Sequence, residues 1–199
     1  MLTKIKKKVQ IWLSHEAEIL HKAGFKPNTV SITGLVFAFS SAVAYATWRS
    51  SHPLTLLLAA VLLLTSGFCD AIDGVIARRY GETTVFGGFL DSLLDRYSDA
   101  FVMTGIIIGG LCGLFWGFLA LIGCLLVSYC RARAEAVGVK METIGIAERA
   151  ERILIISIFT FIAVCYNPQF TLNIGVIILA LLTNLTVAQR LLYFYKATK

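Results

Sequence analysis

The sequence predicts an all-α integral membrane protein, six transmembrane helices preceded by an amphipathic interfacial helix, and three observations carry that prediction. Of 199 residues, 57% are hydrophobic and 15% charged, with a mean hydropathy of +0.77, which is more apolar surface than one soluble core can hide. Apolar runs of spanning length, or nearly so, recur at residues 30–48, 53–69, 100–110, 114–130, 153–166 and 172–188. Charge is confined to one side of the resulting plan. Of the 18 Lys and Arg only Arg49 falls on the opposite face, and all 12 acidic residues lie with the other cations. By the positive-inside rule both termini, and any chemistry among those charges, are cytoplasmic in a multi-pass protein of the cell membrane.

In chain order, residues 1–26 read as a juxtamembrane amphipathic helix. His15, Glu16 and Glu18 interrupt its apolar stretch too early for a signal peptide, and it is too charged for a span. Leu2, Ile5, Val9, Trp12, Leu13 and Leu20 recur at helical spacing beside Lys4, Lys6, Lys7 and Lys8, which suits a helix lying in the membrane surface with its lysines toward anionic headgroups. The alternative is an amphipathic helix packed on the loops. Gly24 and Pro27 break the chain, and Asn28 or Thr29 begins a six-helix bundle over residues 28–194. The runs at 100–110 and 153–166 are short alone. They reach spanning length if their helices continue through polar residues, from Gly87 and from about Ala147.

No linker or repeat divides the chain, so residues 1–199 are read as a single domain. Cys69, Cys112, Cys124, Cys130 and Cys165 form no CxxC pair and read as small buried hydrophobes, and His15, His21 and His52 are too scattered for a metal site. No Walker loop, GxSxG elbow or HExxH motif occurs, and no nucleic-acid partner is expected.

Against this apolar background stand Asp70, Asp73, Asp91 and Asp95, in the stretch CDAIDGVIARRYGETTVFGGFLDSLLD. An uncompensated carboxylate near the bilayer costs several kcal/mol and needs a partner. On a helix Asp73 lies about 60° from Asp70, and Asp95 about 40° from Asp91, so each pair shares a face. A turn over residues 80–84 lets the two pairs converge. Oxygen-only ligands argue for hard cations, Mg2+ or Mn2+, and two such ions would balance four carboxylates and clamp a phosphoryl group. Gly74 and Ala77 project within about 40° of Asp70 and admit a bulky ligand, while Arg78 can hold a phosphate oxygen. Gly87 and Gly88 open the second acidic helix, where free amides favour anions. The competing readings are aspartates that cap helices or pair with Arg78, Arg79 and Arg96, and a cation or proton transporter, since buried carboxylates also mark ion pathways.

The pattern Asp70-x-x-Asp73-Gly74-x-x-Ala77-Arg78, then Gly87-x-x-x-Asp91-x-x-x-Asp95, resembles the full signature of the CDP-alcohol phosphotransferase family. That resemblance implies a homodimeric, metal-dependent membrane enzyme that moves a phosphatidyl-type group from a CDP-linked lipid, CDP-diacylglycerol or CDP-archaeol, to an alcohol and releases CMP. It further implies that Asp70, Asp73 and Asp91 hold one Mg2+ or Mn2+ ion and Asp70, Asp91 and Asp95 a second, with Asp95 also the catalytic base on the acceptor hydroxyl. Gly74, Arg78 and Thr84, with the segment Asn28, Thr29, Val30 and Ser31, match positions around the cytidine diphosphate. A membrane prenyltransferase, also diphosphate-binding, fits less well; it calls for a longer chain and two separated acidic motifs.

A second charged cluster bears on the acceptor. Arg131, Arg133, Lys140, Arg149, Arg152 and Arg190 exceed Glu135, Glu142, Glu148 and Glu151 by two charges, which suits an anionic acceptor or, equally, positive-inside anchoring. Arg131 and Arg133 are about 160° apart on a helix and are not both expected to face one ligand, whereas Arg149 and Arg152 share a face where Glu148 and Glu151 can neutralise them. The stretches SYCRARAEA and ERAER resemble the subgroup that makes phosphatidylinositol phosphate or its archaeal ether-lipid counterpart. By that resemblance the acceptor is 1L-myo-inositol 1-phosphate, held by Ser128, Arg131, Arg133, Arg149, Arg152 and Arg190; glycerol 3-phosphate or serine are the alternatives.

Overall fold

The computed structural model describes residues 13–49, 52–141 and 144–199, and among them only helices occur. A short helix over residues 13–22 (α1) precedes six longer ones: α2 Pro27–Thr47, α3 Leu54–Arg79, α4 Val85–Ile108, α5 Leu114–Glu135, α6 Arg149–Cys165 and α7 Pro168–Ala197. Their starts are encoded locally. Pro27 and Pro168 stand in the first turns of α2 and α7, where a missing N–H costs nothing. Thr84 and Asn167 cap α4 and α7, their side chains accepting from the backbone N–H of Gly87 and Phe170 at 2.9 and 3.0 Å. Between α3 and α4 the chain reverses through Gly81, whose φ of +68° is a conformation that side chains rarely adopt.

Four helices, α2, α3, α5 and α7, are long and apolar enough to cross a membrane. The chain is therefore a multi-pass helical membrane protein. The other two extend as the polar flanks predict: α4 starts at Val85, well ahead of its apolar run, and α6 starts at Arg149. At 1.5 Å per residue they measure about 36 and 25 Å. Asp91, Asp95 and Arg96 stand in the first half of α4, with Asp99 just past its middle, and Arg149 and Arg152 open α6.

The packing gathers α2, α3 and α4 on one side and α5, α6 and α7 on the other, joined where α3 meets α6 and α4 meets α5. Tyr45, Leu56, Leu63, Met103, Ile106, Leu172 and Leu179 belong to the main core, whereas Val36, Phe39, Leu58, Phe118 and Leu185 are exposed, as a lipid-facing surface requires. Two polar contacts join helices inside the bundle: Tyr45 Oη lies 2.7 Å from Thr160 Oγ1, and Ser41 Oγ donates to Ala59 O at 2.7 Å. A Cβ on Gly105 would lie 2.8 Å from Ala42 Cα, and one on Gly109 would overlap the Tyr45 backbone. The small-residue spacing at 105 and 109 thus serves the α2–α4 crossing within the chain, and Gly113 has no such neighbour.

A smaller core seats α1: Ala17, with Leu13 and Leu20, packs on Val30, Ile72 and Ile76. Glu18 accepts from Arg79 at 2.9 Å, and the His21 ring stacks on Tyr80 with centroids 3.6 Å apart. The described part of the amino-terminal helix is docked on the end of α3. Leu2, Ile5, Val9, Trp12 and the four lysines lie outside the described residues.

Candidate active site

The last turns of α3 and the first turns of α4, joined through the Gly81 reversal, both pack on α2, and this brings the acidic pairs together. One carboxylate oxygen each from Asp70, Asp91 and Asp95 lies within 4.8 Å of the others. Asp73 is turned aside and accepts a 2.5 Å hydrogen bond from Ser31 Oγ of α2. All four aspartates nonetheless line one cavity of about 190 Å³, with Ser66, Ser98 and Arg149. The three converging groups offer only hard oxygen donors, and a cation already sits among them: Arg149 Nη1 donates to Asp70 Oδ1 at 2.5 Å and to Asp95 Oδ1. Donor type and charge therefore fit a hard divalent ion at Asp70, Asp91 and Asp95.

Two larger cavities open on either side of this carboxylate box. The first, of about 620 Å³, lies between the starts of α2 and α4 and the end of α3, and is lined by Asn28, Ser31, Asp73, Gly74, Ala77, Arg78, Thr84, Gly87 and Asp91. Its width depends on missing side chains. A Cβ on Gly74 would stand 3.1 Å from Arg78 Nη1, so the guanidinium folds back over the glycine. A Cβ on Gly87 would lie 2.9 Å from Thr84 Oγ1 and 3.1 Å from Asn28 Oδ1. Two expected members of this set are elsewhere: Thr29 is exposed, and Val30 is buried beneath α1 against Ile72 and Ile76. Helical rotation explains both, because only Asn28 and Ser31, three residues apart, share the face toward α4.

The second cavity, of about 640 Å³, lies among α4, α5, α6 and α7 and is lined by Asp95, Arg96, Ser128, Arg131, Glu148, Arg149, Glu151, Arg152 and Arg190. Arg133 does not line it; it is exposed, turned to the other side of α5 as its spacing from Arg131 dictates. Arg131 donates to Glu135 at 2.9 Å. Arg190 is 2% exposed; its Nε donates to Ile144 O at 2.8 Å and its Nη1 to Val127 O, so it joins α5 and the 136–148 loop to α7.

The expected pairing of Arg149 and Arg152 with their neighbouring glutamates does not occur. Arg149 pairs with Asp70 and Asp95, and Arg152 donates to Asp99 at 2.6 Å and to Ala147 O at 3.1 Å. Asp99 went unrecognised in the sequence, although it continues the four-residue spacing of Asp91 and Asp95 along α4. Arg96, expected as an aspartate partner, lies 3.7 Å from Asp95 and also lines the second cavity.

Residues 25–188 match the family model for CDP-alcohol phosphatidyltransferase. The chain is 43% identical to archaetidylinositol phosphate synthase of Methanothermobacter thermautotrophicus over 91% of its own length and 89% of the relative's. It is 41% identical to the enzyme of the same name from Pyrococcus horikoshii, over 100% of this chain and 97% of that one. Among solved structures, phosphatidylinositol phosphate synthase of Mycobacterium tuberculosis with CDP-DAG bound superposes with a TM-score of 0.75 at 28% identity, covering 92% of this chain and 93% of that one. Its complex with manganese and citrate gives 0.76 at 27% identity, covering 92% and 88%.

Proposed function

This chain belongs to the CDP-alcohol phosphatidyltransferase family, and from that premise we propose that it transfers a phosphatidyl-type group, diacylglycerol or archaeol phosphate, from a CDP-linked lipid to 1L-myo-inositol 1-phosphate, with CMP as the other product. The observation that carries this reading is the order of the three cavities. The box shares Asp73 and Asp91 with the cavity of Gly74 and Arg78, and Asp95 and Arg149 with the cavity of arginines. A nucleotide diphosphate on one side and an anionic alcohol on the other would meet at the carboxylates. The relatives' activities and the lipid and manganese bound to the Mycobacterium enzyme support the same assignment.

In this scheme Asn28, Ser31, Gly74, Arg78 and Thr84 receive the cytidine diphosphate, with Arg78 on its phosphates. Ser128, Arg131, Arg149, Arg152 and Arg190 surround the acceptor phosphate; Arg133, Thr29 and Val30 act only at a distance. Asp70, Asp73, Asp91 and Asp95 would hold two Mg2+ or Mn2+ ions, which would supply positive charge to the diphosphate. Asp95, at the border of the acceptor cavity, takes the hydroxyl proton as that oxygen bonds to the lipid-side phosphorus. The phosphorus–oxygen bond to CMP breaks, and its electron pair leaves with the nucleotide. All six long helices cross the bilayer, α4 and α6 with their charged first halves in the interface, and α1 lies at the cytoplasmic surface beside the site. The enzyme works as a homodimer.

The deciding experiment measures CMP release and labelled lipid product with inositol 1-phosphate, glycerol 3-phosphate and serine, in Mg2+ and in chelator. Metal-dependent product from inositol phosphate alone is expected. Product from glycerol 3-phosphate with none from inositol phosphate overturns the acceptor, and CMP formation unaffected by chelator overturns the metal box.

A further inference from the structure

Arg149 lines both the carboxylate box and the acceptor cavity, whereas Arg96 lines the acceptor cavity and reaches the box only through Asp95, at 3.7 Å. The other acceptor-side arginines are engaged elsewhere: Arg131 with Glu135, Arg152 with Asp99, and Arg190 with two backbone carbonyls. Arg149's ion pairs, by contrast, are to Asp70 and Asp95 alone, two of the three carboxylates that converge to metal-binding distance. Its Nε is buried without a hydrogen-bond partner, so the guanidinium is only half satisfied where it sits. It also stands at the first residue of α6, and Glu148 before it makes no side-chain cap hydrogen bond.

A divalent ion and a guanidinium cannot both take the same carboxylate oxygens, because like charges at that range repel strongly in a poorly hydrated site. We propose that Arg149 is a movable cation that competes with the metal for Asp70 and Asp95 and, when displaced, swings into the acceptor cavity, so that metal and anionic acceptor each tighten the other's binding. The idea rests on the metal-box reading above. By linkage the two effects are equal in size. The arrangement also keeps the carboxylates neutralised before metal arrives, and it completes the acceptor cavity only once the box is charged for reaction.

The test is Mn2+ binding by the full-length protein in detergent micelles, followed by electron paramagnetic resonance, with and without inositol 1-phosphate. In the wild type, saturating inositol phosphate is expected to lower the Mn2+ Kd by roughly fivefold or more, a typical coupling. Arg149→Gln is expected to bind Mn2+ about tenfold more tightly in the absence of acceptor, with the coupling reduced below about twofold. Unchanged or weaker Mn2+ binding by Arg149→Gln overturns the competition, and undiminished coupling overturns the displacement. If that variant does not fold, the wild type decides alone: an acceptor effect no larger than that of uncharged inositol overturns the proposal. Asp70→Asn separates this from the underlying reading, because Mn2+ binding that survives in Asp70→Asn refutes the metal box itself.

Discussion

Asp70 and Asp91 are small, partly exposed side chains whose value lies wholly in charge and direction, so an asparagine tests them cleanly. Asp70→Asn and Asp91→Asn are each expected to lower the rate of CMP release by roughly a thousandfold or more, with helical circular dichroism retained. Turnover within tenfold of wild type would refute their role as shared ligands. Asp99 makes the opposite prediction. It is buried with Arg152 at 2.6 Å, and removing its charge strands a cation that is 5% exposed. Asp99→Asn should therefore cost about 3–5 kcal/mol of stability, read as a lower Tm in micelles, whereas a Tm equal to wild type would show the pair to be dispensable. The aspartates of the box were legible because carboxylates are rare among apolar residues and their spacing fixes a shared helical face. Which arginine each would meet was not legible, since Arg149 and Arg152 find partners on α3 and α4 through the rotation and depth of α6, and charge counting along one strand of sequence carries neither.

At the level of elements, α2 must approach α3 closely for Ser31 to reach Asp73, and α4 closely for Asn28 to face Gly87. Gly105 is where this second approach is decided, because any side chain there meets the Ala42 backbone. Gly105→Leu is expected to destabilise the protein by about 2–3 kcal/mol and to raise the KM for the CDP-lipid as the first cavity is pried apart. Gly113→Ala serves as the contrast: its Cβ would lie no closer than 3.6 Å to Asn173 Oδ1, so stability and KM should match wild type. Equal effects at both positions would count against the crossing as the positioning device. Glycines four residues apart at 105, 109 and 113 are visible in the sequence and suit close helix packing, but spacing alone does not choose between packing within a subunit and between subunits. The sequence likewise showed the apolar face of the amino-terminal helix; that Ala17 and Leu20 spend this face on α3 depends on Ile72 and Ile76 being uncovered there, a fact about the fold.

For the whole molecule, every ionisable group of the three cavities lies at one end of the bundle, reached at the end of α3, the start of α4, the end of α5, the start of α6 and the end of α7. This alternation is what antiparallel spanning helices produce, and it places Cys165, at the far end of α6 and exposed, on the opposite side from Arg149. The positive-inside rule predicts that the cavity end is cytoplasmic, since Arg78, Arg79, Arg96, Arg131, Arg149, Arg152 and Arg190 lie at that end and Arg49 at the other. In a Cys112→Ser background, which removes the other cysteine near that far face, a membrane-impermeant maleimide added to intact cells should label Cys165. A cysteine introduced by Lys199→Cys, two residues past α7, should react only after the membrane is opened. The reverse pattern would put the carboxylate box outside the cell, away from cytoplasmic CDP-lipid and phosphorylated alcohol, and would break the link between topology and chemistry on which the acceptor assignment depends.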